Sequence, residues 1–371
     1  MKIGFDGKRF FHNKTGLGNY SRDLIRILAS YYPENKYLLY NPKPKKIDSV
    51  IIDGDTIIEK NPLKKLDQSF SSLWRAFKII HDIKLDNIDI YHGLSGEIPF
   101  NIHKTTIKKV VTIHDLIFIR YPKLYSFIDR KIHFKKVKYA ATHADIVITI
   151  SEQTKRDIVT FLKINPKKIR VIYQGCAPIF KEKLTADFLA ATILKYQLPQ
   201  EYILNVGTIE KRKNILSVVK TLPEIDTTLV IIGKKTSYYD EIASYISENG
   251  LEQKVIFLEN VALPELAAIY RKAKIFVYPS IFEGFGIPII EALYSKVPVI
   301  TSTGSCFSEA GGENSIYVNP YNSEEMKTEI INLLNDAERR KLMIEKGFEF
   351  VQQFNDEEIA KNYMDLYKSL L

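Results

Sequence analysis

The sequence predicts an α/β protein of two domains, each a parallel sheet flanked by helices. Consecutive apolar runs such as VVTI, VITI and LVII are typical of strands that are covered on both faces. Longer amphipathic segments separate such runs in both halves of the chain, which is the alternation of a βαβ fold. At 371 residues the chain is also long for a single core, so two domains of roughly 180 residues each are expected.

The predicted strands are the short runs rich in β-branched and aromatic residues. In the first half they are Lys2–Asp6, Lys36–Tyr40, Val50–Asp53, Ile88–His92, Val110–His114, Ile146–Ile150 and Ile169–Tyr173. In the second half they are Tyr202–Val206, Thr228–Ile232, Val255–Leu258, Ile275–Tyr278, Val297–Thr301 and Ser315–Val318. The segment 177–199, bounded by prolines, is the predicted linker. Ligands of open parallel sheets collect beyond the carboxyl ends of the strands, so polar residues that follow strands are the site candidates.

The bulk properties exclude several classes of protein. No stretch approaches the ~20 apolar residues of a membrane span, and the start, MKIGFDGKRFF, is charged where a signal peptide is apolar. Two cysteines, Cys176 and Cys306, argue against a disulfide framework and indicate the cytoplasm. Residues 1–180 carry 32 Lys and Arg against 17 Asp and Glu, whereas the remainder carries 21 against 27. The basic half is therefore expected to face phospholipid, nucleic acid or a phosphorylated substrate.

The strongest candidate motif is EGFGIPIIE, residues 283–291, which follows a predicted strand. Pro288 suits the first helical position, which places Glu283 in the loop before the helix and Glu291 in its first turn. Gly284 and Gly286 allow a tight turn at the positive end of the helix, a seat for anionic or hydroxyl-rich groups. A plain turn, with Glu291 complementing the helix dipole, is the alternative.

Three further candidates follow strands. Arg212 and Lys213 come after the strand YILNV, at the start of a predicted helix, where cations oppose the helix dipole and so indicate a bound anion. His114 ends the strand VVTI and fits either a site or a structural role. The loop Gly16-Leu-Gly18 follows the first strand and has glycines suited to close approach of a ligand. It has Ser21 where a dinucleotide fingerprint has its third glycine, so a dehydrogenase is disfavoured.

The sequence gives no clear metal site. Asp53-Gly54-Asp55 resembles an Asp-x-Asp metal motif, but Asp-Gly between two short apolar runs favours a hairpin turn. His92 and His103 are isolated, and no cluster has the spacing of structural metal ligands. No metal and no cofactor are expected.

Taken together, these motifs resemble the family 4 glycosyltransferases. EGFGIPIIEA with PVITS after it resembles the Glu-x7-Glu signature of that family, and NVGTIEKRKNI resembles its phosphate-binding strand and loop. VTIHDL, DIVITISEQTKRDI and GLGNYSRDL match its amino-terminal domain, and FNDEEIAKNYMDLY resembles its closing helix. The resemblance implies a GT-B fold, in which two Rossmann-like domains face across a cleft and the C-terminal helix crosses back to the N-terminal domain. The implied domains are residues 1–180 plus 355–371 on the acceptor side and residues 181–354 for the nucleotide-sugar donor.

The resemblance also implies roles for the candidates. Glu291 would hold ribose hydroxyls, Glu283 the donor sugar, Arg212 and Lys213 the diphosphate, and His114 the sugar. The other implied donor-binding positions are Gly16, Gly207, Thr208, Phe285, Gly286 and Ile287. Two positions depart from the family pattern, since Lys211 stands where Pro is frequent and Thr208 where some members have Arg.

The expected activity is retaining transfer of a hexose from a GDP-sugar or UDP-sugar to a glycan or lipid-linked acceptor of a cell-surface polysaccharide. Same-face substitution without a metal is the expected mechanism. The cations of residues 130–138, with Lys104, Lys108 and Lys109, are expected either to rest on the inner face of an anionic membrane or to be a solvated helix face. The rival functions are a catalytically silent binding subunit, a nucleotide-sugar epimerase and a nucleic-acid-binding protein, the last lacking any reader motif.

Overall fold

The computed structural model describes residues 1–44 and 55–371, and of Lys65 and Leu66 only the backbone. The chain divides into two compact units. The first unit is Met1–Gln174 together with Asn355–Leu371, and the second unit is Gly175–Phe354. The segment predicted as a linker, residues 177–199, lies within the second unit, where Phe180 is fully buried.

The first unit is built on a parallel sheet with seven strands among its described residues, in the order β3-β2-β1-β4-β5-β6-β7. The strands are β1 Lys2–Asp6, β2 Lys36–Tyr40, β3 Ile57–Lys60, β4 Ile90–Gly93, β5 Lys108–Ile113, β6 Ile146–Thr149 and β7 Ile169–Val171. The helices are α1 Lys8–His12, α2 Gly16–Tyr31, α3 Lys65–Ser69, α4 Ser71–Leu73, α5 Ile79–Leu85, α6 Ile117–Arg120, α7 Phe127–His143 and α8 Glu152–Leu162. A π-helical turn, Trp74–Lys78, joins α4 to α5.

The second unit, described throughout, holds a six-stranded parallel sheet in the order β10-β9-β8-β11-β12-β13. The strands are β8 Tyr202–Val206, β9 Thr228–Ile232, β10 Val255–Leu258, β11 Ile275–Tyr278, β12 Val299–Ser302 and β13 Ile316–Val318. The helices are α9 Ala186–Lys195, α10 Leu216–Val219, α11 Tyr238–Glu248, α12 Leu263–Lys272, α13 Ile287–Tyr294, α14 Phe307–Gly311, α15 Ser323–Asn335 and α16 Ala337–Val351. Short 3₁₀ turns include Lys211–Lys213.

These two sheets confirm the predicted α/β class. The central strands β4 and β11 are buried along their whole length, as strands covered by helices on both faces must be. Four predicted strands of the second unit match the observed bounds, namely β8, β9, β10 and β11. The strand Ile57–Lys60 was not predicted, and the predicted strand Val50–Asp53 lies outside the described residues.

The closing helix α17, Asp356–Lys368, belongs to the first unit and packs against α2. Arg26 of α2 binds Asp356 at 2.7 Å. Tyr363 and Tyr367 of α17 are buried, and their hydroxyls lie 2.7 Å from the Tyr20 hydroxyl and from His92 Nδ1, respectively. The last part of the chain thus completes the core of the first unit.

Candidate active site

The candidate site of the second unit lies at the carboxyl edge of its sheet, where β8 and β11 are neighbours. The chain after β8 forms the 3₁₀ turn Lys211–Lys213, and the chain after β11 forms the loop 279–286, here called the acidic loop. The amide of Ile281 donates to the Arg212 carbonyl at 2.8 Å, which fastens the acidic loop to the 3₁₀ turn. Two segments about 70 residues apart in sequence therefore meet at one place.

Glu283 is the centre of this site. Its Oε1 atom lies 2.7 Å from Arg212 Nη1 and 2.6 Å from Lys213 Nζ, and it accepts a hydrogen bond of 2.5 Å from the Ser280 hydroxyl. Only 9% of the residue is exposed. Burial alone would raise the pKa of Glu283, but Lys213 and Arg212 outweigh it and lower the pKa, so the carboxylate is ionised at neutral pH.

Arg212 and Lys213 differ in how much of their hydrogen-bonding capacity the protein uses. Arg212 also donates to the Phe282 carbonyl at 2.6 Å and binds Glu210, so its planar fork is held by three groups. The Lys213 ammonium has three donors, of which the protein engages two, with Glu283 and with the Tyr278 oxygen at 2.7 Å. Lys213 therefore has one donor left for a ligand, and Arg212, with three of its five N–H groups engaged, has two, while it also fixes the acidic loop.

The other phosphate-loop candidates lie close by. The Lys213 side chain runs past Gly207, where an added Cβ would be 3.8 Å from the Lys213 methylenes. Thr208, the next residue, is exposed. Asn214 adopts a left-handed conformation with φ 55° and donates to the Pro320 carbonyl at 2.7 Å, which ends the 3₁₀ turn and fixes its direction.

A second loop supports the acidic loop from behind. The amide of Glu283 donates to the Ser305 hydroxyl oxygen at 3.2 Å, and the Cys306 thiol donates to the Phe285 carbonyl at 2.8 Å. Phe285 is buried and packs edge-on against Phe354. These contacts hold the backbone of the acidic loop in one shape, so that Glu283 and the start of α13 keep a fixed spacing.

Helix α13 begins at Ile287, directly after Gly286, whose φ of +118° favours glycine. Pro288 is thus the second helical residue and not the first, and Glu291 lies in the second turn and not the first. Both predicted positions were therefore wrong, because the helix begins one residue earlier than predicted. The reason is that Gly286, in its left-handed conformation, is itself the N-cap. Glu291 therefore does not complement the helix dipole from the first turn.

Glu291 occupies a different environment from Glu283. It accepts a hydrogen bond of 3.0 Å from the hydroxyl of Tyr270 on α12, a buried residue. Burial raises the pKa of Glu291 to about 7, because no cation offsets the loss of hydration and the Tyr270 hydrogen bond only partly favours the charged form. This carboxyl group is poised to change protonation near neutral pH.

His114 lies in the first unit, directly after β5. Its Nε2 atom is 2.9 Å from the Leu94 carbonyl, so Nε2 carries the proton and Nδ1 is left as an acceptor. The ring packs edge-on against Tyr20 with centroids 4.5 Å apart. Burial lowers the pKa of His114 to about 4, so the imidazole is neutral at physiological pH.

The two glycines of the loop 16–18 have different surroundings. A Cβ on Gly18 would lie 1.9 Å from the Asn13 carbonyl oxygen, so the fold itself requires glycine there. A Cβ on Gly16 would meet no atom within 4 Å, and Gly16 is exposed as the first residue of α2. Packing within the first unit does not explain Gly16, in keeping with close approach of a ligand.

Several contributors to the site carry no sequence motif. Tyr278, Ser280, Ser305 and Cys306 hold Lys213, Glu283 or the acidic loop, and Tyr270 holds Glu291. Of these, Ser280 could have been proposed from the sequence, because it lies two residues after the end of the predicted strand Ile275–Tyr278. Among residues 1–44 and 55–371, no group of three or more His, Cys, Asp or Glu side chains is arranged to hold a metal ion. Asp53 and Gly54 of the predicted turn lie outside the described residues.

Comparison with known proteins matches both units. Residues 193–350 match the model described as glycosyl transferases group 1, and residues 16–178 match that of glycosyltransferase family 4. The O-antigen chain mannosyltransferase B of Escherichia coli is 26% identical, over the full length of both chains. The O-antigen chain mannosyltransferase RfbU of Salmonella typhimurium is 31% identical over 71% of this chain and 69% of that protein. The crystal structure of Anabaena HepE in complex with UDP covers all of both chains with a TM-score of 0.77 at 17% identity.

These matches define the chain as a glycosyltransferase of the GT-B fold, as the sequence predicted. More narrowly, it belongs to glycosyltransferase family 4, the group 1 glycosyl transferases.

Proposed function

We propose that this enzyme is a retaining hexosyltransferase that moves a hexose from a nucleotide diphosphate sugar to a glycan or lipid-linked acceptor. The cluster of Glu283, Arg212 and Lys213 at the carboxyl edge of the second sheet carries the proposal. Mannose is the favoured sugar and cell-surface polysaccharide the favoured product, because two relatives are named as O-antigen chain mannosyltransferases. Both GDP-mannose and UDP-hexoses are donors to test, the latter because HepE was crystallised with UDP.

The main chemical task of the cluster is to stabilise the leaving diphosphate. As the bond from the anomeric carbon to the diphosphate breaks, negative charge grows on the phosphate oxygens and positive charge on the sugar ring. The remaining donor of Lys213 is already aimed from a fixed position, so it stabilises this charge without reorganisation. Glu283, ionised and fixed by Ser280, accepts hydrogen bonds from sugar hydroxyls.

Retention follows from attack on the face that the diphosphate leaves. A carboxylate nucleophile beneath the ring is the other route to retention, but Glu283 is bound to two cations and suits hydroxyl binding better. In same-face substitution the acceptor hydroxyl forms the new bond to the anomeric carbon, and its proton passes to the departing phosphate. The neutral His114 would accept a hydrogen bond from the donor sugar at Nδ1.

The test is a panel of GDP-sugars and UDP-sugars incubated with the full chain, with and without oligosaccharide acceptors and with excess chelator. We expect one donor to be consumed, with the anomeric configuration kept in the product and with activity retained in chelator. A strict metal requirement would contradict the metal-free mechanism and favour a metal site at Asp53 and Asp55. Binding of nucleotide sugars without any transfer or hydrolysis would instead favour the catalytically silent subunit.

We further propose that the first unit rests on an anionic membrane through the amino-terminal half of α7. Exposed apolar side chains are concentrated there and in the segment just before α7. They are Leu124, Tyr125, Phe127, Ile128, Ile132 and Phe134. The Lys131 ammonium lies 4.3 Å from the centre of the Phe127 ring, so cations and apolar groups share this surface. Lys136 forms an ion pair with Glu97, and Lys109 forms one with Asp145. These two lysines of the predicted basic surface are therefore less available to a membrane. No helix in the described part of the chain is both long and apolar enough to cross a bilayer.

Replacing Ile128 by Ser is expected to weaken binding to vesicles that contain phosphatidylglycerol. Ile128 is 70% exposed in the protein, so its loss should matter only when a membrane covers it. Burying such a side chain is worth about 1.5 to 3 kcal/mol, so vesicle affinity should fall at least about tenfold. Sedimentation with vesicles measures this, and Leu342→Ser, a 55% exposed residue of the second unit, is the matched control. Equal binding to pure phosphatidylcholine vesicles would contradict an anionic surface.

A further inference from the structure

The first unit contains a polar cavity that the site above does not use. Its volume is about 100 Å³, and its lining includes Asp6, Arg75, Tyr91 and Glu97. Asp6 ends β1 and Tyr91 lies in β4, the two adjacent strands at which the strand order of the sheet reverses. Such a reversal opens a crevice at the carboxyl edge of a parallel sheet, where ligands bind. We call it the switch-point cavity.

Arg75 organises the polar wall of this cavity. Its Nη2 atom lies 2.7 Å from Asp6 Oδ2 and 2.6 Å from Glu97 Oε2, and its Nε donates to Asp6 Oδ2 at 2.9 Å. Burial raises the pKa of both carboxyls, but Arg75 and Lys8, joined by Lys136 at Glu97, together outweigh burial and lower the pKa of each. Both groups are therefore ionised acceptors. Arg75 lies in the π-helical turn Trp74–Lys78, a conformation that is often found at functional sites.

Separate segments of the chain are brought together to build the wall. A Cβ on Gly93 would lie 2.0 Å from the Glu97 carbonyl oxygen, so glycine at the end of β4 lets the following loop fold back over the strand. The Phe100 amide donates to the Ala76 carbonyl at 2.7 Å, which ties this loop to the turn that carries Arg75. Lys136 of α7 lies 3.3 Å from Glu97.

Tyr91 points to a ligand independently of the ion pairs. It is only 1% exposed and lines the cavity, yet its hydroxyl has no hydrogen-bond partner among the described residues. Because Tyr91 borders the cavity, its hydroxyl is not one of the fully buried polar atoms of the protein, and a small molecule in the cavity can reach it. The hydroxyl is therefore available to a molecule in the cavity.

The chemistry of the wall favours a neutral hydroxyl-rich ligand over an anion. Two carboxylates face the cations Arg75, Lys8 and Lys136, so the charges nearly balance, and a phosphate group would meet both carboxylates. Donors and acceptors lie side by side, as sugar hydroxyls require. The rings of Phe100 and Tyr139, with centroids 4.6 Å apart, add an apolar surface for the carbon face of a sugar ring.

We propose that the switch-point cavity binds one neutral sugar ring of the acceptor glycan. This rests on the proposed function, since it takes the first unit to present the acceptor. Asp6 and Glu97 accept hydrogen bonds from ring hydroxyls, and Tyr91 bonds another. The cavity sets which terminal sugar the enzyme extends.

Saturation-transfer NMR on the full chain tests this, with methyl α-D-mannopyranoside as the probe and with GDP and UDP in excess to fill the donor site. We expect glycoside signals from the wild type and from Tyr31→Phe, a matched control at a 44% exposed tyrosine of α2. Tyr91→Phe and Glu97→Gln should each raise the dissociation constant of the glycoside about tenfold, the loss of one good hydrogen bond. Inorganic phosphate should not displace the glycoside.

The proposal is overturned if the wild type gives no glycoside signal, if neither variant weakens binding, or if inorganic phosphate competes with the glycoside. Circular dichroism identifies a variant that fails to fold, and the other variant then decides. Donor hydrolysis is measured on a second aliquot of the same wild-type preparation, without GDP and UDP. Loss of hydrolysis would defeat the proposed function alone, whereas the glycoside data judge the cavity alone.

Discussion

At the scale of single residues, Lys213 and Arg212 carry the same charge but differ in their protein partners. Lys213 has two protein partners and one donor to spare, while Arg212 is bound on three sides. We therefore expect Lys213 to act mainly on a leaving diphosphate and Arg212 mainly on the acidic loop.

Replacing Lys213 by Ala should lower turnover about 100- to 1000-fold with the melting temperature nearly unchanged, because a preorganised donor to the transition state is lost. Glu283 keeps Arg212 as a partner, so the fold survives. Steady-state kinetics and thermal unfolding measure both effects. Lys211→Ala removes the same charge from a side chain that is 72% exposed and should change neither. Wild-type turnover in Lys213→Ala would remove the phosphate role of this residue.

Replacing Arg212 by Ala should instead lower the free energy of unfolding by about 1.5 to 3 kcal/mol, the usual range for hydrogen bonds to charged groups. The buried carboxylate of Glu283 would lose one of its three partners, the Phe282 carbonyl would lose the Arg212 donor, and the acidic loop would lose these ties to the 3₁₀ turn. Urea unfolding measures the change. An unfolding free energy equal to that of the wild type would show that Arg212 does not hold the acidic loop.

Glu291 should make donor binding depend on pH. Its pKa is about 7 in the fold against an ordinary 4.5, so the folded protein holds an extra proton between these values. The stability contribution of this residue therefore falls as the pH rises from about 4.5 to 7 and is constant above that. Hydroxyl groups of a donor bind best to the ionised form, so donor affinity should rise roughly tenfold between pH 6 and pH 8.

Calorimetry with GDP-mannose and a UDP-hexose measures this pH dependence, because a nucleotide diphosphate sugar has no phosphate that titrates near neutral pH. Glu291→Gln is the control and should bind equally at both pH values. An unchanged slope in Glu291→Gln would assign the titration to another group. His114 is not that group, since its pKa of about 4 lies well below the range.

At the scale of elements, the two glycines at the start of α2 look alike in the sequence but differ in their packing. Gly18 is fixed by the Asn13 carbonyl, but Gly16 has open space at the position of a Cβ. A glycine that the protein does not need for its own packing is most simply explained by a ligand. The two positions can therefore be tested against each other.

Gly16→Ala should leave the fold intact, with a change in unfolding free energy within about 1 kcal/mol, because alanine favours a helix. The methyl group should crowd a bound donor by about 1 to 3 kcal/mol, which raises the Michaelis constant of the donor about tenfold or more. Gly18→Ala should destabilise the first unit instead. An unchanged Michaelis constant in Gly16→Ala would mean that no ligand approaches the start of α2.

At the scale of the whole molecule, much of the fold was predictable. Strands such as β8 and β11 are consecutive apolar runs, and a fully buried parallel strand leaves that pattern in a sequence. The short strand β3, Ile57–Lys60, was missed because three of its residues are only partly buried.

The residues of the candidate site were predictable from the sequence, but the contacts between them were not. Arg212, Lys213 and Glu283 each follow a strand, which places them at the sheet edge. That Glu283 binds both cations is a contact across about 70 residues that no local pattern encodes. The switch-point cavity left no signal beyond Asp6 at a strand end, because Arg75 and Glu97 come from irregular segments.

Removing residues 355–371 should unfold the first unit. Ile359, Tyr363, Met364 and Tyr367 are all buried, and each such side chain contributes about 1.5 to 3 kcal/mol. Their sum, about 6 to 12 kcal/mol, is as large as the whole stability of a typical domain, about 5 to 15 kcal/mol. Limited proteolysis should cut the first unit while the second unit stays intact. Removing only Leu370 and Leu371 is the control, and a protease-resistant first unit in the longer deletion would contradict the role of α17.

The return of α17 to the first unit has a consequence for synthesis in the cell. Translation adds about 5 to 20 residues per second, so α17 leaves the ribosome about 10 to 40 s after Gln174. Throughout that interval His92 lacks its hydrogen bond with Tyr367, and Tyr20 lacks its hydrogen bond with Tyr363. The apolar side chains that α17 covers also stay exposed to water. The second unit, continuous in sequence, can mature first. The nascent enzyme is thus open to chaperones, or to aggregation, until its final helix has been made.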